Sequence, residues 1–468
     1  MRTLALVPML IACAALPAYA QRGAQRGAPA GAAAKECVVI STGVIVDGKT
    51  TTSLLLNGKG DTTWVSGGFD AKCEGTDQRV ISDSAEHYTD KKLLVLIGHV
   101  HYTEDRLKLD ADRITYFMGE ERLVAEGNVV GVTNTGTRFI GPRAEYWRPA
   151  VGIREKSHLI ADPRSNLWIS PTDAGKDSKD SVNIQADRII MDNDSLIYAK
   201  GVVVIERPDL LSTSDSAFVD KFKEFARLTF TPRVVGRGDR HFTLDGDIID
   251  IFSKDHEVER VKSLGHAHAT SDDVTLQSDT IDLRVKTQKL DEAFSWGKSR
   301  AHAHSKDEDI TADSIDVMMP GQTIRTMRAI GRAVAESVPD SAKIISKQPD
   351  FLQGDTITAH FDTLTASDTA KQPAIREIFA RGTPTARAKS YYQVARSGEP
   401  KTDKPNQNYV LGDSITVTFL KKQIHDIDVH GHVEGFYVEL AVDSSKTAAA
   451  KDSTAKKPDA KPAEKKKP

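Results

Sequence analysis

Two neighbouring stretches decide the fold: Leu109-Asp110-Ala111-Asp112-Arg113-Ile114-Thr115-Tyr116, and then Leu123-Val124-Ala125-Glu126-Gly127-Asn128-Val129-Val130. In each, apolar residues recur at every second position, the period of a strand with one buried face. In the first stretch the alternation changes phase. Leu109 lies three residues before Asp112, whereas Ile114 and Tyr116 lie two and four after it. An odd gap of five puts Leu109 and Ile114 on opposite faces of a regular strand. Both can face one core only if the chain bulges or bends at Asp112. The second stretch has apolar residues four and two before Gly127, and another two after it.

Both patterns recur along the chain. Small-Asp-x-apolar appears at Ser82-Asp83, Ala111-Asp112, Ala186-Asp187, Ser214-Asp215, Gly246-Asp247, Ser278-Asp279, Ala312-Asp313, Gly354-Asp355 and Gly412-Asp413. Gly141-Pro142-Arg143-Ala144-Glu145-Tyr146 reads as a decayed further copy. The Gly-centred strand recurs as Ile197, Ala199, Gly201, Val203, as Met327, Ala329, Gly331, Ala333 and as Ile427, Val429, Gly431, Val433. No window keeps a helical period; the nearest, Asp215 to Leu228, reads as strand. Units of about 30 residues, two strands each, bury their apolar strips only against their neighbours. The Ser, Ala or Gly before each Asp suits close backbone approach at a bend. The Asp can accept hydrogen bonds from amides freed there. Asp112, Asp187, Asp247, Asp279, Asp313, Asp355 and Asp413 are therefore read as structural corners. Identical carboxylates spread along a stack cannot converge on one substrate atom, so they are not read as catalytic acids. The predicted fold is all-β: a repetitive stacked β-jelly roll of bent two-strand units, V-shaped or flattened in section, with an apolar interior and disordered termini.

The stretches Leu109 to Tyr116 and Leu123 to Val130 resemble the OstA-like family of periplasmic lipopolysaccharide-transport proteins, which includes LptA and the N-terminal domain of LptD. Ser84-Ala-Glu-His-Tyr88 with Leu94 to Val100 fits equally well, and Ala186-Asp-Arg-Ile189 with Tyr198-Ala-Lys-Gly-Val202 is a third good match. The likeness is strong over about 80–205 and periodic to about 435. It implies a β-taco whose interior shields lipid A acyl chains. It also implies lipopolysaccharide or a related glycolipid as ligand, and other envelope transport proteins as partners through end-to-end strand addition. Two departures are visible. Residues 150–182 interrupt the repeat, and the chain ends in a Lys-rich tail instead of a barrel with aromatic girdles. The expected organisation is a signal peptide at 1–20, a linker at 21–36, OstA-like repeats at 37–205, divergent repeats at 206–440 and a Lys/Ala/Pro-rich tail at 441–468.

Ile114, Tyr116, Ile189, Met191, Ile249, Ile251, Ile281, Leu283, Ile315, Val317, Ile357, Ile415 and Val417 share one phase of the repeat. Stacking aligns them into an uncharged apolar strip, the expected lipid-binding groove. The headgroup would stay in water. The same residues would pack together if the two sheets simply closed.

The ends of the chain set the compartment. Arg2, the apolar run Leu4 to Ala15 and Ala18-Tyr19-Ala20 read as a secretory signal cleaved before Gln21, which places the mature chain in the periplasm, with the outer membrane as its neighbour. Leu10-Ile11-Ala12-Cys13 also resembles a lipobox, which would leave Cys13 lipidated. The apolar run continues past Cys13, which favours cleavage after Ala20. No later stretch is long and apolar enough for a membrane helix. Cleavage leaves Cys37 and Cys73, expected to pair as a disulfide in an oxidising compartment.

Composition removes other classes. The 468 residues are 39% hydrophobic and 28% charged, too apolar for a disordered chain and too polar for a membrane bundle. Lys+Arg 63 against Asp+Glu 66 gives no basic excess for nucleic acid. HExxH, G-x-S-x-G, GxGxxG and Walker motifs do not occur, and neither an enzyme, a cofactor nor a metal is expected. The pairs His99/His101, His266/His268, His302/His304 and His430/His432 could chelate. Equivalent places hold Asn128/Val130 and Val202/Val204, so they read as solvent-facing strand residues. The rival to a lipid conduit is a β-solenoid scaffold or polysaccharide-binding protein of the envelope, although only 4 Trp are available to stack on sugars.

Overall fold

The computed structural model describes residues 39–41, 51–56, 61–73, 77–170, 181–237, 242–272, 274–306, 308–339, 343–362, 373–395, 401–420 and 423–439. The expected signal peptide, linker and tail lie outside them. So does Cys37, and with it the expected Cys37–Cys73 pair. Almost all the described residues are strand, and among them the single helical element is a 3₁₀ turn at Pro320–Gln322. The strands pair antiparallel, as the all-β stacked reading requires.

The chain divides into two compact units. The larger draws on Met1–Ser305 and Asp313–Met327, the smaller on Lys306–Ala312, Arg328–Asp362 and Ala374–Pro468. The change in repeat regularity near 205 marks no structural break: Leu196–Glu206 and Leu210–Asp220 pair along their whole length. Periodicity weakened there because side chains changed, not because the ladder ended.

In the larger unit the long strands are bent near their middles, and the bend is where the sequence repeat places Asp in one strand and Gly in the next. Along Leu107–Phe117, Leu107, Leu109 and Ala111 are buried, Asp112 and Arg113 both face out, and Ile114 is buried again. The phase slip expected from the gap of five is therefore real. It is matched across the ladder by a β-bulge. Between the pairs Ile97↔Arg113 and Val100↔Ala111, Gly98 and His99 stand opposite the single residue Asp112. Elsewhere the strand breaks outright, giving Val182–Ala186 and Arg188–Asp192 around Asp187, and Phe242–Asp245 and Ile248–Lys254 around Asp247.

The bends create two layers. The half-strands containing Leu109 form one, those containing Ile114 the other. Strand Arg138–Trp147 shows the division: its first half pairs with Ser165–Ile169 and its second with His158–Ala161. Those two strands lie inside the stretch 150–182 that interrupts the sequence repeat, so the stack runs on through part of it. Ala161-Asp162-Pro163-Arg164 stands at that corner: the small-Asp pair is present, but Arg164 holds the place of the apolar residue two after the Asp, which hides the repeat. The decayed copy at 141–146 is likewise a corner, with Pro142 opposite Gly127-Asn128 and with Ala144 and Tyr146 buried.

The smaller unit repeats the plan. Asp350–Phe361 pairs through Phe351–Gln353 with Ala388–Val394, then beyond Asp355 changes partner to Ile375–Arg381. Asn406–Gly412 and Ser414–Leu420 are separated at Asp413 and extend to Glu434–Val438 and Gln423–His430.

Candidate functional site

The interior begins at the corners, because they decide which side chains face inward. Gly98 and His99 have φ of 79° and 44°, Gly127 and Asn128 76° and 47°, Gly201 and Val202 82° and 44°, Gly265 and His266 75° and 46°. Two successive left-handed residues turn the strand sharply. A Cβ on Gly98 would overlap the Asp83 carboxylate, and one on Gly127 that of Asp112. Glycine is needed both for its conformation and for its missing side chain. Gly201, Gly265 and Gly431 meet Asp187, Asp247 and Asp413 in the same way.

Asp83, Asp112, Asp187, Asp247, Asp279 and Asp413 then serve as local acceptors. His99 Nδ1 lies 2.8 Å from Asp83 Oδ2, His266 Nδ1 3.0 Å from Asp247 Oδ2 and His432 Nδ1 3.0 Å from Asp413 Oδ2. Asn128 Nδ2 donates to Asp112 Oδ2 at 2.9 Å. Val202 has no such group, and Arg164 takes its place, donating to Val202 O and Asp187 Oδ1 at 2.6 and 3.3 Å. Asp279 receives the amides of Lys298 and Ser299 at 2.5 and 2.9 Å and the Ser299 hydroxyl; that hydroxyl first, then the amides, hold its carboxyl below the usual range. The hydrogen bond that His99 donates to the Asp83 carboxylate raises the His99 pKa. Of the eight paired histidines, His99, His101, His266, His304, His430 and His432 are exposed, whereas His268 and His302 are half-buried; His99, His266 and His432 are also corner partners. The alternation alone did not reveal that. The signal that could have is the offset, since His99, Asn128, Val202, His266 and His432 each directly follow a Gly.

Behind the corners lies the predicted strip. In the larger unit Ile114, Ile189, Ile249, Ile281 and Ile315 are 0–1% exposed, and Met191, Ile251, Leu283 and Val317 are buried beside them. In the smaller unit Ile357, Ile415 and Val417 hold the same phase and are buried. Tyr116 differs: it is only half-buried, and its hydroxyl donates to Glu121. His87 occupies the matching phase after Asp83. It is buried, and desolvation lowers its pKa. The small residues before each Asp line the crease: Ala111, Ala186, Ser214, Ser278 and Ala312 are all buried.

The edge remote from the corners is polar. Arg148 Nε, in the second layer, donates to Glu104 Oε2 in the first at 2.8 Å, and its Nη1 reaches Glu121 Oε2 and the Tyr116 hydroxyl, both at 3.2 Å. Burial works against the Arg148 charge, but the surrounding tyrosines and glutamates outweigh it and raise its pKa. Lys221 Nζ, in the second layer, donates to Thr137 Oγ1 in the first at 2.7 Å. Burial pushes the Lys221 pKa down, and Asp194 opposes this. Arg207, in the first layer, donates to His256 O and Ser253 Oγ in the second at 2.7 and 3.4 Å. Around it is a small cleft of about 120 Å³, lined by charged residues including Asp209, Asp255 and Glu257. Drug-sized ligands occupy sites of roughly 300–1,000 Å³, and the cleft is polar, so it is not a lipid pocket. Apart from Tyr116, none of these edge residues belongs to the strip phase, which is why the repeat did not single them out.

Among the described residues no cluster of His, Cys, Asp or Glu is arranged to hold a metal ion, and no helix is long and apolar enough to cross a membrane. No family model and no curated protein matches the chain.

Proposed function

We propose that the chain is a non-catalytic, periplasmic lipid-binding and bridging protein for lipopolysaccharide transport and outer-membrane assembly. The observation that carries this is the uncharged strip Ile114, Ile189, Ile249, Ile281 and Ile315, held between two layers that are joined by corners on one side only. An acyl chain replacing the facing layer keeps those side chains out of water, at about 0.8 kcal/mol for each buried methylene. Such contact needs no directional partner, so one strip serves chains of different length. The headgroup remains at the polar edge. The resemblance to the OstA-like family supports the same ligand class.

Partners would add at the end of the stack. Glu434–Val438 pairs with Asn406–Gly412, and no further strand follows it among the described residues. Val433 and Phe436 are 56% and 59% exposed there. An unpaired strand edge with apolar side chains is a template for strand addition.

Purified protein extracted with organic solvent should yield a glycolipid. The burial of the strip by protein alone favours a second reading, a closed envelope scaffold. Protein that is consistently lipid-free after export would favour that scaffold.

A further inference from the structure

The larger unit is closed twice, once covalently by its bent strands and once by polar contacts at the opposite edge. These contacts are Arg148 to Glu104, Lys221 to Thr137, and Arg207 to His256 and Ser253. Each joins a turn or strand end of one layer to one of the other, 44, 84 and 46–49 residues away in sequence. Backbone bonds meanwhile tie successive turns within a layer: Lys221 N to Ser195 O and Ser253 N to Glu224 O in the second, Asn134 N to Arg106 O and Arg237 N to Asp209 O in the first. Each edge is therefore a continuous rail, and the three cross-contacts are rungs between the rails.

We propose that the rungs at Arg148–Glu104, Lys221–Thr137 and Arg207–His256 act as a latch that controls admission of an amphiphile to the apolar interior. This rests on the lipid-binding reading given above. The reasoning is one of differences. Parting the layers in water exposes the strip and is opposed by the hydrophobic effect. When an acyl chain takes the place of the opposite layer, one apolar contact replaces another and that opposition largely cancels. The edge contacts do not cancel, because a methylene chain offers Arg148, Lys221 or Arg207 no acceptor. A ligand shifts a conformational equilibrium only by its differential free energy for the two states. The rungs are thus what sets the threshold for opening. All three involve side chains that are largely removed from water. Arg148 and Glu104, for example, keep 17% and 7% of their side-chain exposure.

The test uses the full chain, as wild type and as Arg148→Gln, Lys221→Met and Arg207→Gln. Binding of N-phenyl-1-naphthylamine, an apolar fluorescent probe without sugar or phosphate, is titrated, and amide hydrogen exchange is followed on the same samples. Each variant should bind the probe roughly ten-fold more tightly, the consequence of losing the charge-assisted hydrogen bonding of one rung. The amides of Asp187 and Asp247, which bond Gly201 O and Gly265 O at the corners, should exchange at the wild-type rate. Unchanged probe affinity in all three variants would overturn the latch. Probe binding gained only together with lost corner protection would overturn it too, since the contacts would then support the whole fold. A gain in probe binding by protein that never takes up lipopolysaccharide would leave the latch standing and remove the lipopolysaccharide reading.

Discussion

The carboxylate of Asp112 lies over the α-carbon of Gly127, in the space a side chain would occupy, and accepts a hydrogen bond from Asn128 at 2.9 Å. The pair joins the two halves of the sequence repeat at one point. Asp112 marks the phase slip in one strand, and Gly127-Asn128 is the bulge that accommodates it in the next.

Gly127→Ala should therefore be far more disruptive than Gly136→Ala. Both residues have positive φ, 76° and 79°, but an added Cβ at Gly136 meets nothing within 4 Å. Backbone strain alone costs about 1–2 kcal/mol. Overlap with Asp112 adds roughly 1–3 kcal/mol more. Urea denaturation of the two variants measures the difference, and equal losses would contradict the corner geometry.

The crease has the same character on its inner side. Ala111→Val should destabilise by about 1–3 kcal/mol, because Ala111 is buried where the two layers converge. Thr213→Val on an exposed outer position should change stability by less than about 0.5 kcal/mol. Comparable losses at both sites would show that the crease has room to spare.

Much of this was legible because the repeat is written in backbone geometry. A small residue before Asp and a Gly one strand later report φ angles and close approach, and those are local demands. The strip was legible for the same reason: Ile114, Ile189, Ile249, Ile281 and Ile315 hold one phase relative to the corner. The rungs were not. Glu104 and Arg148 lie 44 residues apart, and Thr137 and Lys221 lie 84 apart. Each sits in a turn or at a strand end outside the repeat pattern, so nothing local separates a rung from an ordinary solvated residue. Tyr116 sits between the two cases. Its ring follows the strip phase, and its hydroxyl belongs to the edge, where it accepts from Arg148.

Two histidines should titrate in opposite directions. His99 gains Asp83 as a partner, so its pKa is raised. Its contribution to stability is complete below the ordinary histidine pKa of about 6.5 and is lost as pH rises through the folded value. His87 is buried, so its pKa is lowered. The unfolded chain then binds the extra proton first, and stability falls as pH drops below about 6.5. Nuclear magnetic resonance titration should show His99 above and His87 below that value. Asp83→Asn should bring His99 down, and His87→Leu should remove part of the acid-side loss of stability. An unchanged His99 pKa in Asp83→Asn would separate the pair.

The central claim is that the interior strip meets lipid. Photo-crosslinking amino acids placed singly at Ile189, Ile281 and Ile315 test it in intact cells, beside outer controls at His266 and Arg284, which are exposed. The account predicts lipopolysaccharide or a related glycolipid captured at all three inner positions and not at the controls. Capture at the outer positions alone, with none at Ile189, Ile281 or Ile315, would contradict it and leave a closed scaffold.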